Sequence, residues 1–101
     1  MSTTTTAPKP KIAPKTERPK LWKVILLNDD FTPQEFVVKV LKAVFRMAEG
    51  EARGVMLTAH QKGACVVAVF TKEVADEKCS RANGLAQEYG YPLTFTAERE
   101  D

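Results

Sequence analysis

Residues 64–70 read ACVVAVF, seven in a row with no charged or amide side chain, between Gly63 and Thr71. So short an apolar run, bounded by a stop residue and a cap residue, is a strand, and a strand has to be paired and covered. Both of its alternating faces are apolar, which predicts a central strand covered on both sides. Two other β-prone stretches can pair with it. LWKVILL (21–27) is one, and in the other Tyr91, Leu93, Phe95 and Ala97 alternate with other residues. Pro92 cannot donate to a ladder, so that last stretch belongs at an edge.

Between these stretches the pattern switches to helical period. Thr32-Pro33-Gln34-Glu35 has the form of a capping box, with threonine at the cap, proline in the first helical position and glutamate three residues after the threonine. Phe36, Val37, Val40, Leu41, Val44 and Phe45 then share one helical face as far as about Met47. After a break around Glu49-Gly50, a second helix is predicted by Ala52, Val55, Met56 and Ala59. Gly54 weakens it by about 1 kcal/mol relative to alanine, and Gly63 ends it. Thr71 can cap a third helix carrying Val74, Ala75, Cys79, Ala82, Leu85, Ala86 and Tyr89 at helical spacing, with Gly90 as its stop. The order is strand, helix, helix, strand, helix, strand. This is an α+β domain over residues 21–101, a small sheet with helices packed on it.

Residues 1–20 are of another kind. They hold four of the six prolines and four consecutive threonines, with almost no large apolar residue. Such a segment cannot bury enough surface to offset its ordering entropy, so a disordered tail is expected, serving solubility or acting as a tether to a partner. It carries five basic residues (Lys9, Lys11, Lys15, Arg18, Lys20) against Glu17, a net of +4. The whole chain has 15 basic and 13 acidic residues, so the body keeps 10 and 12, a net of −2. A nucleic-acid domain would show its basic face on the folded part; no nucleic-acid partner is expected. No run approaches the roughly 18 apolar residues of a membrane span, and the first residues lack the apolar core of a signal peptide. Cys65 lies in an apolar run and Cys79 on a helical face, which predicts two core thiols in a reducing, cytoplasmic setting.

Catalytic chemistry finds little to work with. His60 is the one histidine. With Asp29 and Asp30 it could imitate a metal site, but a firm site needs three or four ligands at known spacing. Cys79 has no visible partner for a nucleophile pair, and no glycine-rich phosphate loop is present. Binding is better served. Asn28-Asp29-Asp30 lies in the turn between the first strand and the first helix. Such residues satisfy local backbone groups in turns, yet three in a row exceed what one tight turn needs, and two adjacent carboxylates favour a cation. Met56, Ala59 and His60 share a helical face. If that face meets the turn, polar acceptors would rim a small apolar recess.

NDDFTPQEFV (28–37), VMLTAHQKG (55–63) and VFTKEVADEK (69–78) resemble the ClpS family, adaptors of the bacterial Clp protease, and the resemblance covers residues 21–97. It implies a three-stranded antiparallel sheet against three helices, order βααβαβ, and an adaptor with no enzymatic activity of its own; a monomer with no cofactor is expected, since nothing in the sequence demands a dimer. It implies recognition of proteins whose first residue is Phe, Tyr, Trp or Leu, and their delivery to the ClpA unfoldase of ClpAP. Carried over by position, Asn28, Asp29 and His60 would bind the free α-amino group and first peptide unit. Asp30 and Thr32 would line the entrance, and Val37, Met56, Ala59 and Leu93 the wall. Glu73 and Lys78 match the docking surface for the unfoldase N-domain, and the tail matches the extension used in handover. The sequence departs at Gln34, where the family commonly has a methionine guarding the pocket mouth, and at Ala59, smaller than the usual valine. The other reading is a general interaction domain that binds an internal surface of a partner.

Overall fold

The computed structural model describes residues 20–100. The expected tail therefore lies, but for Lys20, outside the described residues. The element order is β1 (Leu21–Leu27), α1 (Gln34–Phe45), α2 (Glu49–Lys62), β2 (Ala64–Thr71), α3 (Lys72–Glu88) and β3 (Thr94–Arg99). The three strands form one antiparallel sheet in the order β2-β1-β3. α3 packs across all three strands, α2 packs on β2, and α1 packs on α2 and α3.

The sheet corrects one expectation. The strand covered by partners on both edges is LWKVILL, and ACVVAVF forms an edge. One of its faces is open as well: Val66 and Val69 are 48% and 40% exposed. The sheet is apolar on the helix side, through Val24, Leu26 and Phe95, all nearly inaccessible, while its outer side meets solvent as antiparallel sheets can. A bulge between Val24 and Ile25 in the β1–β2 register sets Val67 as the extra residue, since Val24 faces Ala68 and Ile25 faces Val66. Cys65, on this edge strand opposite Leu26, is only half-buried, against the core burial expected of it, while Cys79 is buried on α3. Burial raises both thiols above their ordinary values.

The helices follow the predicted faces, with local differences at their ends. Val37, Val38, Val40, Leu41 and Val44 are the buried face of α1. Ala52, Met56 and Ala59 are that of α2. α3 buries Ala75, Cys79, Ala82 and Ala86, all small, which lets the helix axis approach the sheet closely. Val74 and Tyr89 are exposed instead; Tyr89 lies past the helix end, its ring 5.2 Å from that of Phe36. The capping box is not formed. Pro33 holds the cap position with no side-chain bond, and the Thr32 hydroxyl is directed to Asp29 while Glu35 is bound by Arg53. Thr71 does occupy the cap of α3, again without a side-chain bond. α1 stops at Arg46, in the left-handed region at φ 60°. Gly63, at φ 92°, turns α2 directly into β2, a conformation glycine adopts without strain.

Asn83 of α3 fastens the other edge. Its side-chain amide donates to the Phe95 carbonyl at 3.0 Å and its oxygen accepts from the Phe95 N–H at 2.8 Å. The peptide groups of an edge residue are thereby satisfied without a further strand.

Candidate functional site

Five chain segments converge at one end of the sheet. β1 ends there and α1 begins there, α2 ends there, and β2 and β3 begin there, since Leu27 pairs with both Ala64 and Thr94. The Asn28 N–H donates to the carbonyl of Gly63 at 3.0 Å. That bond pins the Asn28–Asp30 turn to the end of α2 and brings the histidine-bearing face of the helix to the polar triplet.

Between them lies a cavity of about 160 Å³, lined by Leu26, Leu27, Asn28, Asp29, Asp30, Thr32, Gln34, Val37, Met56, Ala59, His60 and Leu93. All ten of the residues that the sequence reading assigned to amine binding, entrance and wall stand around it. Leu26 and Leu27 were not foreseen as lining; the alternation of β1 aims Leu26 into the core, and both precede Asn28 directly, which is the signal that could have identified them. The lining is divided by depth. Val37, Met56, Ala59 and Leu93 are buried, whereas Asn28, Asp30, Gln34 and His60 are exposed. The floor is apolar and the rim polar.

Asp29 has two duties within this rim. Its Oδ1 accepts from the N–H groups of Phe31 (2.8 Å) and Thr32 (2.7 Å), and its Oδ2 accepts from the Thr32 hydroxyl (2.8 Å). A carboxylate has about four lone-pair sites; three donors leave roughly one open, on Oδ2. The turn is therefore shaped by Asp29 while one charged acceptor position stays available. Among the described residues no three His, Cys, Asp or Glu side chains gather as metal ligands would.

The other two assigned residues lie elsewhere. β2 runs from Ala64 at the cavity end to Thr71, a span of about 23 Å at roughly 3.3 Å per residue, and α3 starts there. Glu73 is exposed in its first turn, lining a depression with Lys20, Trp22, Thr71, Lys72 and Arg99. Lys78 is half-buried; its Nζ donates to the Val44 carbonyl at 2.9 Å and stands 5.9 Å from the centre of the Phe70 ring. Lys78 thus ties α3 to the end of α1 as well as presenting charge. No helix among the described residues is long and apolar enough to cross a membrane.

Comparison with known proteins gives the class. The model of the family described as ATP-dependent Clp protease adaptor protein ClpS matches residues 17–96. The chain is 59% identical over 97 residues to the ATP-dependent Clp protease adapter protein ClpS 2 of Mesorhizobium japonicum, covering 96% of each. It is 56% identical over 101 residues to ClpS 1 of Bradyrhizobium diazoefficiens, covering both completely. Among solved structures it is similar to Agrobacterium tumefaciens ClpS2 bound to L-phenylalaninamide, with TM-score 0.81 and 57% identity over 82% of this chain and 100% of that one. The class is that of substrate adaptors for an ATP-dependent protease. Within it, the chain belongs to the ClpS family.

Proposed function

We propose that this adaptor captures proteins through a free N-terminal amine and a bulky apolar first side chain (Phe, Tyr, Trp or Leu), and delivers them to the ClpAP protease in the cytoplasm by docking on the ClpA N-domain. The observation that carries the reading is the division of one cavity into polar rim and apolar floor. An ammonium brings three donors. Asn28 offers a carbonyl oxygen, Asp29 its open Oδ2 position and His60 a ring nitrogen. Charge-assisted bonds of this kind contribute about 1.5–3 kcal/mol each.

The floor supplies the second half of the selection. Sites for drug-sized molecules run to roughly 300–1,000 Å³, so a cavity of about 160 Å³ suits a single side chain. Aliphatic cavities of about 150 Å³ hold benzene, which makes a phenyl ring a fitting occupant. Burying Phe or Leu adds roughly 1.5–3 kcal/mol, most of which alanine forgoes. The relative from A. tumefaciens is in complex with phenylalaninamide, a molecule with a free amine, a benzyl side chain and an amide where a chain would continue; the same chemistry at 57% identity supports this assignment. Glu73 and Lys78, at the far end of β2, would leave the cavity open while the unfoldase is engaged.

Degradation by ClpAP of a reporter beginning with Phe tests both parts. The chain should accelerate it, His60→Ala should abolish the effect by loss of capture, and Glu73→Ala should reduce it with peptide affinity intact. Acceleration that survives His60→Ala would refute the capture reading.

A further inference from the structure

The cavity interrupts the packing of α1 on α2. Gln34 and Val37 line it from one helix, Met56 and His60 from the other. A gap removes some of the dispersion contacts that otherwise fix the distance between two elements, so at this level polar ties add to the packing of the buried Val37, Met56 and Ala59. One is the hydrogen bond from the Asn28 N–H to the Gly63 carbonyl described above, which ties the turn leading into α1 to the end of α2. The other is Arg53. Its guanidinium grips Glu35 fork to fork, Nη1 to Oε2 at 2.8 Å and Nη2 to Oε1 at 3.1 Å. It also bonds Glu49, through Nη2 at 2.6 Å and Nε at 3.2 Å, and Lys42 of α1 closes the chain on Glu49 at 2.6 Å. Alternating charges thus cross between the helices twice. Glu35 follows Gln34 directly, and Arg53 lies one turn before Met56.

We propose that Arg53 is a positioning residue that sets the width of the pocket mouth, and with it the selectivity among first side chains; the proposal rests on the capture reading above. A planar fork specifies both distance and orientation, which an ammonium does not. Bonds from Lys42 and Arg53 hold the Glu49 carboxyl at about 2, and Arg53 lowers that of Glu35, so the network stays charged wherever binding is measured. Exposed pairs contribute little to stability, and Arg53 is 39% exposed. The signature is therefore expected in selectivity.

The full chain is titrated with free-amine peptides beginning with Phe and with the β-branched Ile, as wild type, Arg53→Gln and Arg53→Lys. A loosened mouth should raise the affinity of the Ile peptide relative to the Phe peptide about two- to fivefold in both variants, the size an exposed network can supply. Equal changes for both peptides, no change, or a wild-type ratio in Arg53→Lys overturns the proposal. If the variants fail to fold, wild type at about 0.05 and 1 M NaCl replaces them, because salt screens an exposed network; a ratio that ignores salt overturns it too. Failure of the capture reading looks different: wild type would then bind free and acetylated Phe peptides alike.

Discussion

Asp29→Asn separates the two duties of Asp29. In wild type its carboxylate holds the turn through three bonds of 2.7–2.8 Å and keeps about one lone-pair site open. In asparagine the carbonyl oxygen can still accept from Phe31 and Thr32, and the amide nitrogen can donate to the Thr32 hydroxyl oxygen. The turn survives without charge. Neutral bonds are about half as strong as charge-assisted ones, and the turn is partly exposed, so stability should fall by only about 1–2 kcal/mol. That leaves the domain folded, given the roughly 5–15 kcal/mol usual for one. Binding loses a charged acceptor for the ammonium, about 1.5–3 kcal/mol, or a 10- to 150-fold weaker dissociation constant. Fluorescence anisotropy with a Phe-initiated peptide reads the binding, and urea unfolding of the same sample reads the stability. A folded Asp29→Asn protein with wild-type affinity would refute the reasoning and leave Asp29 as a turn residue only.

Three further outcomes follow from particular contacts. Gln34→Met puts an apolar, polarizable side chain at the mouth and should strengthen Leu-initiated peptides relative to Phe-initiated ones about fivefold, one methylene's burial or so; an unchanged ranking across Phe, Tyr, Trp, Leu, Ile and Val would exclude a role for this position. Asn83→Ala strips the partners from both peptide groups of the buried Phe95 and should cost about 1–3 kcal/mol in urea unfolding, with peptide affinity unmoved. Glu49 is depressed from 4.5 to about 2 through bonds to Lys42 and Arg53, so its contribution to stability is present above about pH 4.5 and is lost as pH falls toward 2. Because the pair is exposed the effect is small: across that window the urea midpoint of wild type should fall slightly more than that of Glu49→Gln, and a smaller fall in wild type would contradict the depressed value.

Periodicity carried the helices because each buries one stripe: Val37, Val40, Leu41 and Val44, then Ala52, Met56 and Ala59, then Ala75, Cys79, Ala82 and Ala86. It could not order the strands. ACVVAVF is the more apolar run, yet it lies at the edge, since apolar composition reports that a strand can be covered and is silent on which neighbour takes which side. The capping box failed for a related reason. Pro33 took the cap position, so Thr32 falls one residue before it and donates its hydroxyl to Asp29, and Glu35 met Arg53, 18 residues away in sequence, a contact no local pattern contains. The cavity residues were legible through the resemblance carried by the Asn28–Val37 stretch and the His60 segment. From residues alone, the polar triplet stood undecided between turn and receiver, and the bonds of Asp29 show that the turn use is real while leaving an acceptor position over.

The central claim is capture of a free N-terminus, and the most direct measurement is a titration of wild type with one Phe-initiated peptide, free and N-acetylated. Acetylation replaces three charged donors with one neutral one and leaves acceptors at the rim unpaired, a kind of mismatch that costs binding sites up to about 10⁴-fold. The free peptide should bind and the acetylated one should lose at least about a hundredfold. Equal affinities would contradict the account and assign the cavity to some internal surface of a partner.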